Sequence, residues 1–230
     1  MFSTFDFNVI ARSWEVLVFK GLGFTLEVTL LSMTGGVIFG TLLAMMRLSS
    51  IKSMAWVAGS YVNLLRSIPL VLVIFWFYFL MPYIGAWVIG AKQPVQIGAF
   101  SSALFTFVMF EACYYCEIMR AGIQSVSRGQ VQSGYALGLN YWQVMGYVVL
   151  PQAFRNMLPV LLTQTIVLFQ DVSLVYIISL PDFVTIASKI AQRDGRLVEM
   201  YSFVAVVYFA MCIALSLVVK RLQNRIAIVR

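Results

Sequence analysis

The sequence predicts an all-α, polytopic membrane protein with about five transmembrane helices, and three observations carry that prediction. The 230 residues are 61% hydrophobic and only 11% charged, with a mean hydropathy of +0.90; soluble domains run about 45–50% apolar and about 25% charged. Apolar stretches close to the roughly 20 residues that a helix needs to cross a bilayer recur along the chain. The connections between them are short, which leaves one membrane domain and no room for a separate soluble one. The formal net charge of +7 then reads as cytoplasmic loops facing anionic lipid, not as a nucleic-acid surface.

The first 20 residues, MFSTFDFNVIARSWEVLVFK, have no basic segment ahead of an apolar core. They mix Asp6, Arg12, Glu15 and Lys20, so they do not form a signal peptide. They read as an interfacial lead-in anchored by Phe5, Phe7, Trp14 and Phe19. The membrane domain is expected over residues 21–221, followed by a basic tail at 222–230.

The first span is expected over residues 21–46, with Glu27 near one end and Arg47 closing the other. Its Gly36-x-x-x-Gly40 allows close helix packing, as ordinary membrane-helix glycines also would. The second span covers 55–81, with Arg66 and Pro69 in its first half and Pro69 kinking it. Its aromatic run FWFYF, residues 75–79, is packing or lipid-facing surface. The third span covers 95–119 and the fourth 154–178. A polar, partly helical stretch, LPDFVTIASKIAQRDGRLVEM, leads to the fifth at 201–219.

Five spans put the termini on opposite sides of the membrane. With the C-terminus inside, the inner set of basic residues is Arg47, Lys52, Arg66, Arg120, Arg128, Arg155, Lys220, Arg221, Arg225 and Arg230. The outer set is Arg12, Lys20, Lys92, Lys189, Arg193 and Arg196, mixed with acidic residues. The positive-inside rule therefore places the N-terminus in the periplasm and the C-terminus and the 120–155 connection in the cytoplasm.

That connection contains SRGQVQSGYALGLNYWQVMGYVVLP, residues 127–151. Ser127 with Gln130, and Asn140 with Gln143, each have the spacing of a capping box at a helix start. Gly138 between them can take the left-handed conformation that ends a helix. Pro151 ends the second short helix or bends it into the fourth span. The segment therefore predicts a helix-turn-helix.

Ionisable groups at membrane depth are costly and mark function by default. Arg66 and Glu111 fall at overlapping depths, and two readings stay open for them: a structural pair between neighbouring helices, or a gate or pathway element. Glu117 and Arg120 are three apart on one helix face and can pair. Asp171 can contact a substrate ammonium, or hold a turn with Ser173 at a dimer interface. Arg66 offers a cation for a substrate carboxylate.

Cys113-Tyr-Tyr-Cys116 has the CxxC spelling inside an apolar segment. With no histidine and only three cysteines in the chain, two small membrane-helix residues explain it better than a metal or redox site. GAWVIGAK, residues 85–92, misses the nucleotide-binding pattern because Ala91 stands where its lysine belongs. No nucleophile–base spacing suggests an enzyme.

The pattern ALGLNYWQVMGYVVLPQAFRNMLP resembles the cytoplasmic signature of ABC importer permeases, in which an acidic-Ala-Ala triplet precedes a glycine and a terminal hydrophobic-Leu-Pro. Gly138 takes the glycine place and Val149-Leu150-Pro151 the end, whereas Gln132-Ser133-Gly134 stands in the triplet. YVNLLRSIPLVLVIFWFYFLMP, FEACYYCEIMRAGIQSVSRGQ and FQDVSLVYIISLPDF resemble the polar amino-acid branch of the same family. Within that branch the likeness is to glutamate/aspartate importer permeases.

The resemblance implies a type I importer-like permease in the bacterial inner membrane that works beside a second permease, sibling or copy. Two ATPase subunits would hold ATP and magnesium, so this chain would bind neither, and a periplasmic binding protein would deliver the amino acid. Gln132, Ser133, Gly134, Ala136, Leu137, Gly138, Leu139 and Pro151 would form the coupling segment that meets the ATPase. Arg66, Pro69, Glu111, Asp171 and Ser173 would lie along the pathway or gate. Transport of glutamine, histidine, cystine or a basic amino acid is the alternative. A self-sufficient secondary transporter would instead predict internal repeats, and the sequence has none.

Overall fold

A computed structural model describes residues 5–226; residues 1–4 of the lead-in, and 227–230 of the tail with Arg230, lie outside the described residues. Eight helices follow one another among the described residues: α1 Asn8–Arg47, α2 Lys52–Arg66, α3 Leu70–Ile89, α4 Ala99–Gln124, α5 Arg128–Ala136, α6 Tyr141–Ile178, α7 Phe183–Asp194 and α8 Leu197–Ile226. No strand occurs among the described residues. Five helices, α1, α3, α4, α6 and α8, are long and apolar enough to cross a membrane.

Helix α1 joins the expected lead-in to the first span in one run of 40 residues, through a wider π-helical stretch at Val16–Leu22. Gly21 in that stretch lets α1 approach α7, where an added Cβ would stand 3.0 Å from the Cα of Phe183. The run extends about 60 Å at 1.5 Å per residue, longer than the roughly 30 Å hydrocarbon layer. Its beginning therefore lies at or beyond the interface.

The second expected span is broken rather than kinked. Helix α2 ends at Arg66, and α3 starts after Pro69, whose ψ of 133° is extended. The cause is local. Proline disfavours helical backbone at Ile68 and has no N–H to continue the ladder. The carbonyl of Pro69 instead accepts from Leu72 and Val73 and opens α3.

Between apolar helices in lipid, close packing replaces the hydrophobic drive. The pairing of α1 with α4 is the clearest case. A Cβ on Gly36 would lie 3.0 Å from the Cβ of Glu111, and one on Gly40 would lie 2.8 Å from the Cβ of Tyr115 and 3.0 Å from the carbonyl of Ala112. The Gly-x-x-x-Gly spacing is thus a backbone approach. Gly122 repeats the device where α4 meets α6, with Met157 Cβ 2.8 Å from the space its own Cβ would take.

The central core gathers Val28 of α1, Val73 and Ile74 of α3, Phe107 and Phe110 of α4, and Leu168 and Val172 of α6. A second cluster, at the α7 end, packs Val9 and Leu17 of α1 against Phe183 and Ala187 of α7 and Met200 of α8. A third joins Ala44, Val62, Cys113, Tyr115 and Cys116. Both cysteines of the CxxC spelling are buried free thiols in this packing. Helix α8 fully buries only Glu199, Met200 and Val204 and packs Phe203, Val207 and Tyr208 partly against the second cluster, leaving most of its later length outward.

Candidate functional site

Two loci carry the chemistry, a surface helix-turn-helix and a buried polar junction. The first begins at α5. Ser127 is its N-cap with extended backbone, but its side chain makes no cap bond, so the first capping box does not form. The second does. Asn140 Oδ1 accepts from the Gln143 N–H at 3.0 Å, and the Asn140 N–H donates to Gln143 Oε1 at 2.9 Å.

Between the boxes the chain turns on Gly138, with φ +80°. The Gly138 N–H donates to the Tyr135 carbonyl at 2.9 Å and the Leu139 N–H to the Gly134 carbonyl at 3.2 Å. That pair of bonds is the Schellman closure, which satisfies carbonyls left free at a helix end. Gly134 is buried, and a Cβ there would stand 3.0 Å from Cγ2 of Val144. The glycine of Gln132-Ser133-Gly134 thus lets α5 lie against the next helix.

Gln132, Ser133, Ala136 and Leu137 remain exposed beside Tyr135, Tyr141, Trp142 and Tyr147, while Leu139 is half-buried. Helix α6 passes Pro151 without a break, because a wider π-helical stretch at Val144–Val149 precedes it. Gln152 Nε2 donates to the Val148 carbonyl at 2.9 Å alongside.

The second locus is where α1, α4 and α6 meet. Glu111 is 1% exposed and is held by Gln164 of α6, whose Nε2 donates to both carboxylate oxygens at 3.3 and 3.2 Å. One turn on, the Tyr115 hydroxyl and Thr165 Oγ1 bond at 3.0 Å. Arg66 does not pair with Glu111. Its guanidinium carbon lies 5.1 Å from the centre of the Tyr114 ring, a cation–π contact. The reason is the chain break: Arg66 ends α2 at an exposed position, while Glu111 points inward to Gln164.

Asp171 and Ser173 are half-buried at the junction of α6 with its terminal 3₁₀ turn, and no hydrogen bond joins them. Pro69 sits in the break beside Arg66.

The expected Glu117–Arg120 pair forms, at 2.8 Å. Sequence spacing alone missed its third member: Arg47, at the end of α1, also pairs with Glu117. Helix α7 is capped by the buried Asp182, which accepts from the N–H groups of Val184 and Thr185 at 2.9 and 3.1 Å and from the Thr185 hydroxyl. Burial pushes the Asp182 carboxyl up, and these donors act against that shift. The Phe183 N–H donates to Thr25 Oγ1 at 3.1 Å, which ties α7 to α1.

Over residues 36–228 the chain matches the family described as "Binding-protein-dependent transport system inner membrane component". It belongs to that family. It is accordingly an inner-membrane permease subunit of a transport system and not an enzyme, with ATP hydrolysis carried out by separate subunits. It is 50% identical over 223 residues, 97% of this chain and 99% of the relative, to "Glutamate/aspartate import permease protein GltK" of Escherichia coli O6:H1. It is 30% identical over 228 residues, 97% of this chain and 99% of the relative, to "Glutamine transport system permease protein GlnP" of Escherichia coli K12.

Among solved structures, it resembles the chain described as "Crystal structure of an amino acid ABC transporter with histidines", with a TM-score of 0.87 and 31% identity, covering 96% of this chain and 99% of that one. A methionine ABC transporter in an inward-facing form matches with a TM-score of 0.71 and 18% identity, over 92% of this chain and 97% of that one; at that identity it shows the fold alone. The type I importer permease fold expected from the sequence is therefore the observed one.

Proposed function

We propose that this subunit carries acidic amino acids, glutamate and aspartate, across the bacterial inner membrane. The observation that carries the reading is 50% identity over 97% of the chain with a permease bearing that substrate in its name. The alternative, glutamine or another polar amino acid, is supported by the more distant glutamine permease at 30% identity.

The subunit works beside a second permease, on two ATPase subunits that hold ATP and magnesium, and receives substrate from a periplasmic binding protein. Its N-terminus is periplasmic and its C-terminus cytoplasmic, which puts α5 and its turn on the cytoplasmic side. The segment from Gln132 to Leu139, with Pro151 behind it, receives the ATPase. Exposed Leu137, Tyr135 and Trp142 offer the apolar surface and Gly138 the turn. Because Gln132-Ser133-Gly134 carries no acid, docking here rests on shape.

Along the pathway, exposed Arg66 suits a substrate carboxylate and Asp171 its ammonium, while Pro69 and Ser173 shape the adjoining breaks. Glu111, fully enclosed with Gln164, positions α4 against α6. The test is reconstitution in vesicles with the ATPase, the second permease and the binding protein. ATP-dependent uptake of glutamate and aspartate, competed poorly by glutamine, is the expected result. Preferential glutamine uptake would support the alternative, and uptake without the ATPase would overturn both.

A further inference from the structure

A crevice of about 660 Å³ runs between α1, α2 and α4, lined by Gly35, Phe39 and Leu43 of α1, Val57 of α2, and Phe105 and Val108 of α4. Its volume is in the range of sites that hold a small organic molecule, about 300–1,000 Å³. Tyr61, the one lining side chain with a polar atom, donates its hydroxyl to the Met109 carbonyl at 3.1 Å. On α1 the lining runs from Leu31 to Met46, about 22 Å at 1.5 Å per residue, against a hydrocarbon layer of about 30 Å. An apolar slot of this length in a membrane-crossing segment matches a lipid tail.

The end of the slot at Met46 is basic. Arg47 follows directly, its charge offset by its pair with Glu117, and its Nε lies 3.9 Å from where a Cβ on Gly59 of α2 would stand. Lys52 opens α2 at the same end, exposed and with no ion-pair partner among the described residues. Trp56, one turn further along α2, is 73% exposed. An exposed tryptophan beside an exposed lysine at the end of a membrane segment marks headgroup level. It argues that this face of α2 meets lipid and not a neighbouring protein helix.

We infer that the α1–α2–α4 crevice is a binding site for an anionic phospholipid, one acyl chain lying in the slot and its phosphate held by Lys52. Such a lipid fills the gap behind α2. That helix is 15 residues long and ends at the chain break beside Arg66.

The test uses the full chain, purified in mild detergent and washed, then analysed by native mass spectrometry with added phosphatidylglycerol or phosphatidylethanolamine. Wild type should retain phosphatidylglycerol in preference. Lys52→Gln should lower phosphatidylglycerol retention about fivefold, the factor that corresponds to about 1 kcal/mol per basic residue at a membrane surface. It should lower phosphatidylethanolamine retention less, because that headgroup's own ammonium offsets its phosphate. Val57→Trp, at an exposed lip of the slot, should lower both.

Equal retention of the two lipids by wild type, or a Lys52→Gln variant that behaves like wild type, would overturn the assignment. A Val57→Cys variant that cross-links in high yield to a second permease in native membranes would also overturn it, because a protein helix would then occupy the slot.

Discussion

Gln164 donates its side-chain amide to both carboxylate oxygens of Glu111, at 3.3 and 3.2 Å, where α4 and α6 meet. Gly36 of α1 packs against the Cβ of the same glutamate. A buried acceptor stripped of its donor costs about 1–3 kcal/mol, and more when it is charged. Gln164→Leu should therefore destabilise the purified chain by at least that amount, read as a lowered thermal midpoint in detergent. Glu111→Gln, which keeps a hydrogen-bonding side chain opposite Gln164, should cost less. Equal losses for the two variants would show that the pair is not what holds the junction.

The approach of α1 to α4 gives a second prediction. A Cβ on Gly40 would stand within 3.0 Å of the Ala112 carbonyl, which is backbone and cannot swing aside. Gly40→Ala should cost about 1–3 kcal/mol, the range for overpacking a tight interface. Gly98→Ala, where a Cβ meets open space, is the control and should be close to neutral. Thermal unfolding in detergent distinguishes them.

The α1–α7 contact outside the spans should respond to pH. Asp194 accepts from Arg193 at 2.8 Å and pairs with Arg12 of α1 at 2.9 Å. The Arg193 hydrogen bond, helped by the charge of Arg12, holds the Asp194 carboxyl below its ordinary value. A carboxyl lowered by folding adds stability above its unfolded value and loses it as pH falls through the folded one. Acidification below the ordinary carboxylate range should therefore lower hydrogen-exchange protection, taken relative to the intrinsic rate at each pH, at the start of α1. Asp194→Asn should show the lower protection already at neutral pH and lose the added response. A variant with an unchanged pH profile would remove Asp194 from that role.

Much of this architecture was legible in the sequence, because span length and hydropathy act through composition alone. The left-handed turn at Gly138 and the Asn140–Gln143 box were legible too, since both depend on residues within a few positions. What depended on distant neighbours was not. Ser127 has the spacing of a capping box, yet its side chain makes no cap bond. Arg66 and Glu111 share a depth but not an orientation, because the break at Pro69 ends α2 with Arg66 facing Tyr114. Arg47 joins Glu117 only because the glycines of α1 bring that helix onto α4. Spacing within one helix could find Glu117 and Arg120 but not the third charge.

The turn at Gly138 supports the most direct functional prediction. With φ at +80° it sits where an L side chain is strained by roughly 1–2 kcal/mol. Nothing lies within 4 Å of a Cβ placed there, so any larger effect of a bulky residue must come from a docking partner and not from the fold of this chain. Gly138→Asn tolerates the left-handed conformation and should keep most ATP-dependent uptake in reconstituted vesicles. Gly138→Glu adds strain, length and charge at the docking surface. It should leave membrane insertion intact and let ATP hydrolysis continue while uptake falls at least tenfold. Wild-type uptake by Gly138→Glu would mean that this turn does not transmit the ATPase stroke.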